Sequence, residues 1–144
     1  MKHGTGDVSP TVIAECEVGL DFRYARAAGL LFGKGAYNAE DAAYTDKGYA
    51  YKKDPLGFQM FLVVVAAGKV YEAEKQDLTI VMPPAGFDSI RGTVAANHKA
   101  VMVYDLNQAS VSVAIQEGVL GRTLLLGLRE ERSFFNHSSI SSFI

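Results

Sequence analysis

Apolar residues along this chain come in short runs and not in long helical stripes. Met60-Phe61-Leu62-Val63-Val64-Val65 is an unbroken, β-branched run of strand length, the pattern of a strand covered on both faces. Lys69-Val70-Tyr71-Glu72 is expected to extend that strand or pair with it, and Val101-Met102-Val103-Tyr104 to form another. Ser9-Pro10 predicts a helix over about residues 10 to 17, with serine as N-cap, proline at the first helical position and Gly19 at the stop. Phe32-Gly33-Lys34-Gly35-Ala36-Tyr37 reads as a glycine-punctuated turn. Asn38 is then expected to cap a second helix running to about Tyr51, with Glu40 and Asp41 set against the helix dipole and Gly48 as its weak point. Val119 to Leu128 is apolar without a clear period and is assigned to either a strand or a short helix. Strands, short helices and long turns together predict an α+β domain.

Composition narrows the function classes. A chain of 144 residues with 49% hydrophobic and 21% charged residues is one globular domain by length and content. A formal net charge of −2 gives no support to a phosphate-tracking surface, so direct nucleic-acid binding is not expected. Cys16 is the single cysteine, and with three scattered histidines it forms neither a disulfide nor a structural zinc site. The longest apolar run, Met60 to Ala67, is too short to cross a membrane, and Met1 to Asp7 has no apolar leader segment. An intracellular protein of the nucleus or cytoplasm is expected.

Composition also shifts near Ala109. Every tyrosine, lysine, aspartate and proline precedes it, whereas most of the serines follow. The chain therefore divides into a domain over 1–109 and a divergent tail over 110–144, too short to fold alone and expected to add only about 1 kcal/mol to stability.

The common catalytic signatures are absent. Gly33-Lys34-Gly35 lacks the Ser or Thr of a phosphate loop, and no G-x-S-x-G, H-E-x-x-H or C-x-x-C is present. What remains is an ordered series. It runs His3-Gly4-Thr5, Gly19-Leu20-Asp21-Phe22-Arg23, Phe32-Gly33-Lys34-Gly35-Ala36-Tyr37-Asn38-Ala39, Ala43-Tyr44-Thr45 and Tyr49. Pro83-Pro84, Phe87-Asp88-Ser89 and Val103-Tyr104-Asp105-Leu106-Asn107-Gln108-Ala109 complete it.

In order and spacing this series resembles the catalytic domain of the poly(ADP-ribose) polymerase family of ADP-ribosyltransferases, specifically its mono-ADP-ribosylating branch, over residues 3 to 109. The resemblance implies an ADP-ribosyltransferase fold, a split antiparallel β-sheet with short flanking helices that binds NAD in a cleft lined by a His-Tyr-Glu triad. It places His3 on a ribose hydroxyl and Gly4 on the nicotinamide carboxamide, with Thr5 beside them. Tyr37 packs on the nicotinamide ring, and Thr45 stands where the family has a serine that bonds the carboxamide. Tyr49, one residue beyond the family spacing, is the second stacking tyrosine, and Arg23 borders the adenosine end. NAD is then a co-substrate, no metal is implied, and the partner is a protein acceptor and not a membrane.

The sequence departs from the family pattern in three places. The triad glutamate falls on Ala100 within Asn97-His98-Lys99-Ala100-Val101, so chain elongation is not expected. Asp or Glu acceptors, which bring their own carboxylate, are the expected targets. Only Met1 and Lys2 precede the His motif, which leaves His3 without the upstream strands of the family. After Gln108 the family's Tyr-Pro and closing strand give way to Ala109-Ser110-Val111, so a bare sheet edge is expected. The resulting expectation is transfer of a single ADP-ribose from NAD to a protein side chain. The alternative is an inactive domain of the same fold that binds NAD, ADP-ribose or a protein partner.

Overall fold

A computed structural model describes residues 1–16, 20–24, 30–46, 48–54, 57–118 and 123–127. Among these, the strands are β1 (Lys2–His3), β2 (Ala36–Ala39), β3 (Tyr51–Asp54), β4 (Gly57–Val65), β5 (Val70–Ala73), β6 (Ser89–Ala95), β7 (His98–Val103), β8 (Ala109–Gly118) and β9 (Thr123–Gly127). Two short helices, α1 (Pro10–Glu15) and α2 (Ala42–Asp46), and a 3-10 turn at Phe22–Tyr24 accompany them. The strands form one sheet in the order β5-β6-β7-β2-β1-β4-β8-β9, with β3 also paired to β4. Every pairing is antiparallel except β5 with β6. A mixed sheet with few short helices is the α+β class expected. Among the described residues no helix is long and apolar enough to cross a membrane.

Both faces of the sheet centre are covered, as alternation along β7 demands. Val101 and Val103 enter a cluster with Leu20, Ala36, Phe61, Val63 and Ala109, against which Ile13 and Ala14 of α1 pack. Ala100 and Met102 point the other way, into a cluster with Phe32, Ile90 and Val94 flanked by Tyr37, Tyr44 and Tyr104. The second face carries the aromatic residues from which the candidate site is built.

Several expectations are corrected. Asn38 does not cap a helix: it lies in β2, opposite Val101, and is fully buried. Its side-chain amide donates to the Ala36 carbonyl at 3.0 Å. The helix that follows covers only Ala42–Asp46, capped instead by the Asp41 carboxylate, which accepts the Ala43 N–H. Pairing with β7 takes up the backbone that a helix would have used, and a four-residue strand is too short to leave a period in the sequence.

Residues 69 to 72 do not join β4. Asp88 Oδ2 accepts the Lys69 N–H, and the Lys69 carbonyl accepts the Asp88 N–H, so the chain is clamped beside β6 and β5 runs parallel to it. Gly68 makes this crossing at φ +56°, where the space of a Cβ is taken by the Asp88 side chain. Helix α1 starts at Pro10 as expected, with no side-chain cap bond from Ser9. It ends at Glu15, with Cys16 already extended, short of the expected run to residue 17; the expected stop at Gly19 itself lies outside the described residues. Within 119–128, residues Thr123–Gly127 form a strand.

The two expected bare edges are occupied. β1 lies between β2 and β4, so His3 has neighbours on both sides: Lys2 pairs with Ala39 and with Leu62, and His3 with Phe61. The far side of β4 is paired with β8 over its full length, from Gly57↔Gly118 to Val65↔Ala109. The compositional shift near Ala109 thus falls at the first residue of a strand hydrogen-bonded to the centre of the sheet. Strand pairing depends on backbone groups, so a segment of altered composition can still close the edge.

Candidate active site

His3 ends β1, and its imidazole turns back to the neighbouring strand, where Nδ1 donates to the Tyr37 carbonyl at 2.8 Å. A carbonyl only accepts, so Nδ1 holds the proton and the neutral ring presents Nε2 as an acceptor. Burial pushes His3 below its ordinary value near 6.5, against a smaller opposing pull from the Tyr37 carbonyl, which favours that neutral form.

Beyond His3 the chain crosses the backbone of Tyr49 in close contact. A Cβ on Gly4 would overlap the Tyr49 carbonyl, and Gly6 N–H donates to that same carbonyl at 2.7 Å. Only glycine allows this approach. The Thr5 hydroxyl donates to the Val8 carbonyl and is spent on the following turn.

Tyr37 on β2 is fixed at both ends. Its carbonyl holds His3, and its hydroxyl accepts the Phe32 N–H at 2.7 Å and donates to the Gly33 carbonyl at 2.8 Å. Desolvation pushes its phenol up to about 12. The Gly33 turn has φ +68°, and a side chain there would run into the Ile80 carbonyl.

Thr45 is buried in α2, and its carbonyl accepts the N–H groups of Tyr49 and Ala50, which ends the helix. Tyr49 is half-exposed. Its ring meets not Tyr37 but Tyr44, at 5.0 Å between centroids, and the Tyr44 hydroxyl donates to the Tyr49 hydroxyl at 3.0 Å. Burial, then that bond, hold the proton on Tyr44 well above the ordinary tyrosine range.

The fold therefore gathers His3, Gly4, Tyr37, Thr45 and Tyr49 around the junction of β1, β2 and α2. Arg23 stands apart in the 3-10 turn, where its guanidinium grips the Asp21 carboxylate with Nη2 at 2.6 Å from Oδ2. That guanidinium holds Asp21 below the usual carboxylate range.

Ala100 is 1% exposed. It pairs with Ala39 on one side and Gly92 on the other, a row of three small residues. The Phe32 ring lies directly on Gly92, in the space its Cβ would need. Phe32 shares one buried cluster with Ala100, and Tyr44 packs against that cluster, so the face of β7 at Ala100 is covered with carbon.

Three residues to which the sequence reading gave no role at the site join the group. His98, two residues before Ala100 on β7, places Nδ1 3.1 Å from Asp41 Oδ2 and its ring 5.6 Å from that of Tyr44. The strand expected over Val101–Tyr104 begins at His98 in the structure, and nothing local in the sequence links His98 to Asp41 or to Tyr44.

A shallow cavity of about 340 Å³ lies elsewhere, lined by Met82, Pro83, Asp88, Tyr104, Asp105 and Gln108. It contains none of the gathered residues. Gln108 and Asp88 there are engaged in stitching the β5 crossing, since Gln108 Nε2 donates to the Asp88 carbonyl at 2.8 Å. The chemistry favours the aromatic junction over this cavity.

A family model described as Poly(ADP-ribose) polymerase catalytic domain matches residues 3–119. No curated protein matches the chain. Since that match begins at His3 and runs through β8, the strand paired along the whole of β4, the chain belongs to the poly(ADP-ribose) polymerase catalytic-domain family, whose common substrate is NAD.

Proposed function

We propose that this chain transfers a single ADP-ribose from NAD to a protein side chain and releases nicotinamide. The observation that carries the restriction to one unit is the buried Ala100 under Phe32 and Tyr44. No carboxylate stands there to orient a ribose and activate its hydroxyl for a second round.

Transfer breaks the bond between the nicotinamide nitrogen and the ribose anomeric carbon. Its electron pair stays with nicotinamide, and positive charge spreads over the sugar in an oxocarbenium-like transition state. Such a step needs a firmly held leaving group more than a strong base. Tyr37, locked at hydroxyl and carbonyl, offers a fixed aromatic face to the cationic ring, worth roughly 0.5 to 2 kcal/mol. Neutral His3 accepts a ribose hydroxyl at Nε2. Gly4, held against the Tyr49 backbone, offers its own N–H and C=O to the carboxamide, joined by the Thr45 hydroxyl, with Thr5 beside them. Arg23 serves the adenosine end.

The buried Ala100 also favours a second reading, a domain of this fold that binds NAD or ADP-ribose without turnover. Nicotinamide release from NAD by the purified protein separates the two. Labelled NAD then reports product size: single units support the proposal, and a polymer ladder on a gel overturns it.

A further inference from the structure

Transfer to a carboxylate needs no base, because the acceptor oxygen is already ionised. Transfer to a hydroxyl does need one, and with Ala100 in the triad position the family's carboxylate is unavailable for that work. His98 and Asp41 form a pair on the same side of the sheet. Residues two apart on a strand share a face, so His98 projects on the side of Ala100. It stacks on Tyr44, which stacks on Tyr49, whose backbone lies against Gly4.

The pair is built rigidly. Asp41 follows Glu40, whose N–H donates to the Lys99 carbonyl at 3.1 Å, whose carbonyl accepts from Lys2 Nζ at 3.0 Å and whose carboxylate is gripped by Arg91. Asp41 Oδ1 caps α2, which leaves Oδ2 for His98 Nδ1. A carboxylate on Nδ1 fixes the ring tautomer and leaves Nε2 as the base, the arrangement that activates hydroxyl nucleophiles elsewhere in enzyme chemistry. β1 and β7 are separated only by β2, about 10 Å by strand spacing, a gap that a ribose with its acceptor can bridge.

We propose that His98, oriented by Asp41, is the general base for a hydroxyl acceptor such as serine. This rests on the transferase reading above and names the acceptor class for it. As the acceptor oxygen bonds to the anomeric carbon, the carbon–nitrogen bond breaks with its pair left on nicotinamide. The hydroxyl proton passes to His98 Nε2 and from there to solvent.

Through Asp41 His98 also clips β7 to α2, and the choice of variant separates this structural role from that of a base. In His98→Asn the side-chain amide reproduces the Nδ1 donor to Asp41 and removes Nε2. The expected result is an unchanged Tm and NAD affinity, transfer to a serine-containing peptide reduced by roughly a hundredfold, and transfer to an aspartate- or glutamate-containing peptide unchanged. Serine linkages survive neutral hydroxylamine and carboxylate esters do not, so the two products are distinguishable. Added imidazole should restore serine modification in His98→Ala. Wild-type transfer to serine by His98→Asn, or wild-type protein that modifies only carboxylates, overturns the base. A wild-type protein that binds NAD and releases no nicotinamide overturns the transferase reading, and His98 with it.

Discussion

Gly4 and Tyr49 are in contact through their backbones, without room for a single methyl group between them. The contact carries the strand end that bears His3 across the segment that bears the half-exposed tyrosine ring. Replacing Gly4 by Ala forces the two apart. Overpacking of this kind costs roughly 1 to 3 kcal/mol, a fall of several degrees in Tm. Affinity for nicotinamide-like inhibitors should fall with it. An alanine variant with wild-type Tm and inhibitor affinity would show that the contact is not maintained in solution.

Tyr37 separates packing from hydrogen bonding. Tyr37→Phe keeps the ring but leaves the Phe32 N–H and Gly33 carbonyl without their partner, a loss of roughly 1 to 3 kcal/mol. Inhibitor binding should be nearly retained in Tyr37→Phe and lost in Tyr37→Ala. The phenol is raised from 10.0 to about 12, so the folded state disfavours its ionisation. That contribution is complete below about pH 10 and disappears as pH rises towards 12. Thermal melts across this range should fall less steeply for Tyr37→Phe than for wild type.

His3 acts in the acid range with the opposite sign. Its folded value lies below 6.5, so the unfolded chain takes up a proton that the folded chain refuses. The contribution is present above about pH 6.5 and is lost as pH falls through the folded value. His3→Asn preserves a donor for the Tyr37 carbonyl and does not titrate. Between pH 7.5 and 5 its Tm should decline less than that of wild type, and equal slopes would exclude His3 as a source of acid sensitivity.

A glutamate placed at position 100, where the resemblance sets the triad carboxylate, should not bring about polymer synthesis. A glutamate there meets the carbon of Phe32 and Tyr44, and a carboxyl group so placed is desolvated and costly. Ala100→Glu should lose roughly 2 to 5 kcal/mol, about 10 °C in Tm, and its product should remain single units on a gel. A stable variant that makes ladders would mean that the covered volume opens readily.

Ending the chain after Gln108 removes β8 and β9 and exposes the hydrogen-bonding edge of β4 along its full length. The expected outcome is loss of cooperative unfolding and a tendency to aggregate, read by calorimetry and light scattering. A change of only a few degrees would restore the view that the residues after 109 contribute little.

Much of the site was legible because motifs are local. His3-Gly4, the glycine turn before Tyr37 and the spacing to Thr45 are contiguous signals, and the β-branched run of β4 announces its own strand. Residue chemistry and short-range order therefore sufficed for the fold class and for the family to which the chain belongs. Tertiary structure decided everything that depends on which backbone meets which. Asn38 is a strand residue because Val101 stands opposite it, β5 joins β6 because Asp88 holds Lys69, and Ala109–Gly118 closes the sheet through main-chain bonds that composition does not register. The meeting of Asp41, Tyr44 and His98 is of the same kind. These residues lie more than fifty positions apart at the extremes, and only the pairing of β2 with β7 brings them within hydrogen-bonding and stacking distance.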